Sequence, residues 1–136
     1  MDTAGVSATN AERFRELIEA ANREDLEGAL GLISEDVIWI AARSAVQGPY
    51  HGHDGIRSFF ADNQESFERF EPAIDEVRDV GDSVLVIGSI QVRGRGSGVD
   101  TKVPMAGIAT YRDGMLVRWE DFRERERALE AAGLSD

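Results

Sequence analysis

Apolar residues first recur with the period of a helix. Phe14, Leu17, Ile18 and Ala21 fall on one face, and Thr9 followed by Glu12 has the spacing of a capping box, so a helix starts there. Leu26, Ala29, Leu30 and Ile33 make a second, shorter amphipathic set. The run Val37, Ile38, Trp39, Ile40 then changes the pattern to that of a strand. The segment QGPYHGHDG has turn chemistry throughout and predicts a loop. After it, Ile56, Phe59, Phe60, Phe67 and Phe70 line one side of a predicted long helix, with Asn63 inside the stripe and Pro72 at its end.

Beyond Pro72 the period falls to two. Short runs around Ile74–Val80, Val84–Arg93, Thr101–Arg112 and Met115–Arg123 are divided by glycine turns, which predicts consecutive antiparallel strands. Ile74 and Val80 share one parity and Val77 the other, so the first of these strands calls for a bulge or a buried stretch. ALEAAGL closes the chain as a helical turn with Gly133 in the C-cap position. Helices come early and the sheet late, the order of an α+β domain. Residues 9–134 read as that single domain, behind a flexible N-terminus over 1–8.

Strand parity separates a buried face from an open one. Val84, Val86, Gly88, Ile90 and Val92 form one apolar face, and Val103, Met105, Gly107, Ala109 and Tyr111 another. In the last strand Met115, Val117, Trp119, Asp121 and Arg123 alternate with Leu116, Arg118, Glu120 and Phe122. The three faces are expected to line one concavity, with Gly88 and Gly107 removing side-chain volume for a curved sheet or a ligand cavity.

Composition narrows the function. The chain has 136 residues, a formal net charge of -11 and no cysteine, which excludes a disulfide framework, thiolate metal ligation and a cysteine nucleophile. The negative field disfavours nucleic acid and anionic membrane surfaces as partners, and no segment has the length of a membrane span or the layout of a signal peptide. A cytoplasmic location is expected. Lys102 is the only lysine, which leaves little room for Schiff-base chemistry. Arg93–Gly98, RGRGSG, lacks the GK[ST] of a phosphate loop and joins two strands, so it reads as a hairpin connection.

Asp121 stands out as a carboxylate among apolar neighbours, an arrangement that raises a carboxyl pKa towards the range useful for proton transfer. Its structural alternative is an ion pair with Arg123, two residues along. Trp39, Phe60, Ile90, Met105 and Trp119 are the expected pocket wall, with Asn63 as an orienting polar group. Tyr50 is a candidate at the pocket mouth. His53 is a candidate ligand contact or a helix cap, and with His51 it forms a pair that lacks a third metal ligand. No metal or other cofactor is called for.

PYHGHDGI before the long helix and RDGMLVRWEDF before ALEAAGL give the chain, over nearly its whole length, a pattern that resembles the nuclear transport factor 2-like superfamily, in its SnoaL-like, polyketide-cyclase-like branch. The resemblance implies a cone-shaped fold in which N-terminal helices pack on a curved, mainly antiparallel sheet around a pocket. It also implies a homodimer through the open sheet face, with Leu85, Ile87, Ser89, Gln91 and Arg93 as the strip. Trp119 and Asp121 match the Trp-x-Asp that carries a catalytic aspartate in limonene epoxide hydrolases, and SnoaL-type cyclases keep an acid/base aspartate near this point. The hydrolase's Arg and second Asp fall at Gly88 and Ile90, and its water-holding Tyr and Asn at Trp39 and Ala41. The polar positions of ketosteroid isomerases fall at Phe14 or Ile18, Ala41 or Ala42, and Met105 or Gly107. All are apolar here. The pattern therefore favours a protein that binds a small hydrophobic molecule, with a cofactor-independent cyclase or isomerase using Asp121 as the alternative.

Overall fold

The computed structural model describes residues 9–41, 48–122 and 124–134. Helix α1 (Asn10–Asn22) begins at the capping box: the Thr9 hydroxyl accepts from the Glu12 N–H at 3.1 Å, and the Glu12 carboxylate accepts from the Thr9 N–H at 2.8 Å. Helix α2 (Leu26–Leu30) starts at Asp25, whose carboxylate accepts from the Gly28 N–H. Strand β1 (Ile33–Ile40) follows, then the short β2 (Tyr50–His51) and helix α3 (Gly52–Ser66). Strands β3 (Phe67–Val80), β4 (Ser83–Gly94), β5 (Asp100–Arg112) and β6 (Met115–Phe122) lead to helix α4 (Arg125–Ala131).

The six strands form one sheet in the order β2-β1-β6-β5-β4-β3. Every neighbouring pair is antiparallel except β1 with β6, which runs parallel because the chain crosses from one edge to the other through α3 and β3. The β5–β6 hairpin turns on Asp113 and Gly114, both at positive φ (54° and 79°), the geometry a two-residue hairpin needs. The expected α+β architecture, helices on a curved and mainly antiparallel sheet, is what the chain adopts.

Several sequence expectations are corrected. QGPYHGHDG is not all loop: Tyr50 and His51 pair with Trp39 and Ile38, and Gly52–Gly55 already belong to α3. His53 does not cap that helix; its N-cap residue is His51, without a side-chain hydrogen bond. The long helix stops at Ser66, so Phe67 and Phe70 stand in β3, where Phe70 pairs with Val92 and Pro72 with Ile90. Gly133 lies one residue past the cap: Ala132 ends α4, and the Gly133 and Leu134 N–H groups donate back to the Glu130 and Leu129 carbonyls.

The irregular parity between Ile74 and Val77 resolves as the anticipated bulge, an extra residue at Asp75. A second extra residue sits at Glu68 and a third at Val117. The third changes the reading of β6. It moves Leu116 onto the face of Trp119, where both join the core, and it breaks the grouping of Met115 and Val117 with Trp119.

The concave face carries the main core, with Phe14, Leu17, Ile33, Val37, Ile56, Val84, Val86, Tyr111, Leu116 and Trp119 buried together. Helix α1 is fastened along β3 at both ends. The Ala11 N–H donates to the Asp79 carboxylate at 3.1 Å, and the Asn22 side-chain amide donates to the Pro72 carbonyl at 3.0 Å. Helix α4 covers part of the convex face, where Ala128 and Leu129 pack on Leu85 and Ala106. Leu85 is only 1% exposed and so is withdrawn from the strip expected to meet a partner.

Gly88 explains how β3 lies so close on β4. A Cβ at that position would overlap the Ala73 carbonyl oxygen, so no larger residue fits without moving one strand. Gly88→Ala is expected to lower unfolding stability by about 1–3 kcal/mol in urea, and an unchanged midpoint would show that the strand yields freely.

Candidate functional site

The inner end of the concavity is filled by rings. A Cβ on Gly107 would overlap the benzo edge of Trp119, so the space opened by this glycine is the seat of an indole and not an empty cavity. Phe14 from α1 stacks on Trp119, with centroids 5.2 Å apart and planes at 18°. Trp39 from β1 leans on the same indole at 5.6 Å. Tyr111 closes the floor, and its burial pushes the phenol well above its usual pKa, with only partial relief from Arg13. The floor is therefore closely packed and largely apolar.

The outer end is different. Trp39, Phe59, Phe60, Phe67, Phe70 and Ile90 are all only half-buried, and Val103 is 40% exposed. Phe59 sits at the centre of this group, with ring centroids 5.4 Å from Trp39, 5.3 Å from Tyr50, 6.4 Å from Phe60 and 6.5 Å from Phe70. Phe67 and Phe70 touch at 5.6 Å because the extra residue at Glu68 lets positions three apart share a face. Sequence reasoning placed Phe59 on the stripe but gave it no role, and it assigned Phe67 and Phe70 to the wrong element. Their clustering depends on a bulge that helical spacing imitates.

Asp121 follows Trp119 on the inner face, with Gly107 as its register partner, and is half-buried. The alternative pairing with Arg123 lies outside the described residues. Met105 and Trp119 are buried in the core, and Trp39, Phe60 and Ile90 pack against it. Asn63 is buried on α3, the one polar residue of its stripe. Tyr50 is buried, and its hydroxyl donates to the Asp62 carboxylate at 2.8 Å. His53 is placed apart from the aromatic rim: its Nε2 lies 2.8 Å from the Ile33 carbonyl oxygen, at the start of β1. There it borders an open surface depression of about 610 Å³ with Leu30, Glu35, Asp36, Arg112 and Met115. Asp36 and Arg112 in its wall are solvent-exposed and 3.7 Å apart, the marks of a wet groove. Among the described residues no three His, Asp or Glu side chains gather as metal ligands.

Helices thus cover one face of a curved sheet whose inner end is packed with apolar side chains and whose outer end carries half-buried aromatic rings. The chain belongs to the SnoaL-like domain family, whose model matches residues 14–119. An NTF2-like protein of unknown function from Burkholderia pseudomallei is 24% identical with a TM-score of 0.77, covering 91% of this chain and 97% of its own. TerC, in a structure co-crystallized with polyporic acid, is 26% identical with a TM-score of 0.76, covering 91% and 98%. A protein of ketosteroid isomerase-like fold from Catenulispora acidiphila, in complex with trimethylamine, is 18% identical with a TM-score of 0.74, covering 91% and 94%. No curated protein matches significantly. No described helix is long and apolar enough to cross a membrane.

The seat of Trp119 gives a direct test of the floor. Gly107→Ala is expected to cost about 1–3 kcal/mol of stability and to alter near-ultraviolet circular dichroism from the stacked rings. Unaltered dichroism would mean that the indole does not rest on this glycine.

Proposed function

We propose that the protein binds a small, largely apolar molecule with a flat conjugated ring, held by the half-buried aromatic rim. The observation that carries this reading is the contrast between the packed floor and the partly exposed cluster of Trp39, Phe59, Phe60, Phe67 and Phe70 on the same inner face. Large apolar side chains left half-open in a concavity are what a ligand ring covers. The fold match to TerC, seen with polyporic acid, supports an aromatic ligand. Ile90 and Met105 complete the wall beside Trp119, Asn63 and Asp121 supply orienting polarity, and Tyr50 meets Phe59 edge-on.

Polyporic acid titrated into the protein is expected to quench tryptophan emission saturably, with Phe70→Ala weakening binding by about 1–2 kcal/mol. Quenching that is linear and equal in both proteins would sink the reading.

A second reading rests on the position of Asp121, half-buried beside Trp119 and opposite Gly107 at the rim. There it serves as the acid/base of a cofactor-independent cyclase or isomerase acting next to a carbonyl. The protein would then speed exchange of α-protons of 2-tetralone in D₂O, followed by NMR, and Asp121→Asn would lower that rate about 100-fold or more. A rate no faster than buffer removes the enzyme reading and leaves binding untouched.

We further propose a cytoplasmic homodimer through the convex face, where Ile87, Gln91 and Arg93 remain half-buried beside α4. Light scattering should then give twice the 14.9 kDa chain mass, and a mass of one chain at micromolar concentration would refute it.

A further inference from the structure

Trp39 carries a buried hydrogen-bond donor that the fold does not use. Its indole Nε1 is shielded from solvent and has no hydrogen-bond partner, the one such side-chain atom among the described residues. Buried polar atoms are nearly always paired, and an unpaired one weakens the fold, so its persistence needs a reason. Phenylalanine or leucine would line the same wall without that cost.

The surroundings explain why the donor stays unpaired. Trp39 lies mid-sheet, with Tyr50 beside it on one strand and Trp119 on the other, so its backbone is held on both sides. Its ring packs against Phe59 at 5.4 Å and Trp119 at 5.6 Å, and neither ring offers an oxygen acceptor. The Tyr50 hydroxyl donates to the Asp62 carboxylate, and the Trp39 Nε1 does not reach its oxygen in hydrogen-bonding geometry. Phe59, half-buried on α3, is the less buried of the two rings that pack on Trp39.

Resting on the pocket reading above, we propose that Trp39 is a specificity residue: its Nε1–H donates to a carbonyl oxygen on the conjugated ring of the ligand. The ligand class is thereby narrowed from flat apolar molecules to flat aromatic ketones and quinones. Entry of the ring displaces Phe59, and the oxygen satisfies the waiting donor. A hydrocarbon of the same shape gains the ring contacts and leaves the donor unpaired.

The matched probes are 9-fluorenone and fluorene, which differ by one carbonyl oxygen, titrated into the full chain and followed by the indole ¹H–¹⁵N resonance of Trp39. The expected result is a roughly 3- to 10-fold preference for fluorenone, with a downfield shift of that resonance. Replacing Trp39 by 3-benzothienylalanine, which keeps the ring and lacks the N–H, should abolish the preference. Equal binding of the two probes, or a preference that survives the replacement, overturns this inference and leaves the pocket reading standing. Binding of neither probe overturns both. The ligand-free protein provides an independent check: the same replacement should leave the urea midpoint unchanged or raised, and a lowered midpoint would show that the fold already uses the donor.

Discussion

An indole lies flat on a β-sheet only where the strand beneath it has no side chain in the way. Gly107 provides that bare stretch for Trp119, and the rest of the inner face is arranged on the consequence. Once the indole is down, Phe14 of α1 stacks on it and Trp39 of β1 leans on its edge, so one contact ties the first helix and the first strand to the last hairpin. These elements are far apart in sequence. Offset aromatic stacking adds about 0.5–1.5 kcal/mol per pair beyond area burial, but the larger effect is geometric, since three rings in contact hold their elements at fixed separations. The same packing fills the inner end of the concave face with rings.

Three bulges shape the surface around that seat. Extra residues at Glu68, Asp75 and Val117 each bring a pair three apart onto one face: Phe67 with Phe70, Ile74 with Val77, and Leu116 with Trp119. A bulge bends its strand and increases the local twist, which curves the sheet around the helices. Gly88 adds to this by letting the β3 backbone approach β4 more closely than any side chain would allow. The curvature leaves a concave face too wide for α1 alone, and α3 completes the cover with Ile56, Phe60 and Asn63 turned inward.

The inner-face positions around Trp119 and Asp121 are lined with apolar groups. Gly88 serves strand packing, and Met105 and Ala41 are buried. A polar atom in such an apolar surround is removed from competing water and costs free energy unless it is paired. The convex face has a separate task. Helix α4 shields Leu85 and Ala106 there, and Arg125 reaches Glu76 on β3 at 3.4 Å, so the open sheet is only partly bare.

Local rules sufficed for much of the fold. The Thr9 capping box, the apolar stripe of α1, the Asp113–Gly114 hairpin and the alternating faces of β4 and β5 each depend on residues close in sequence, and each was legible there. Of the candidate wall, Ile90, Met105 and Trp119 were drawn from strand parity and Phe60 from helical spacing. Elsewhere tertiary pairing overrode local period. A bulged strand spaces its inward residues as a helix does, so Phe67 and Phe70 became β3 only because β4 was there to pair with them. The short β2, the turn of Leu116 to the inner face and the burial of Leu85 under α4 likewise required distant partners. Whether the room left by Gly107 was empty or filled, and whether the Trp39 N–H found an acceptor, depended on side chains brought from separate elements, which only the assembled structure decides.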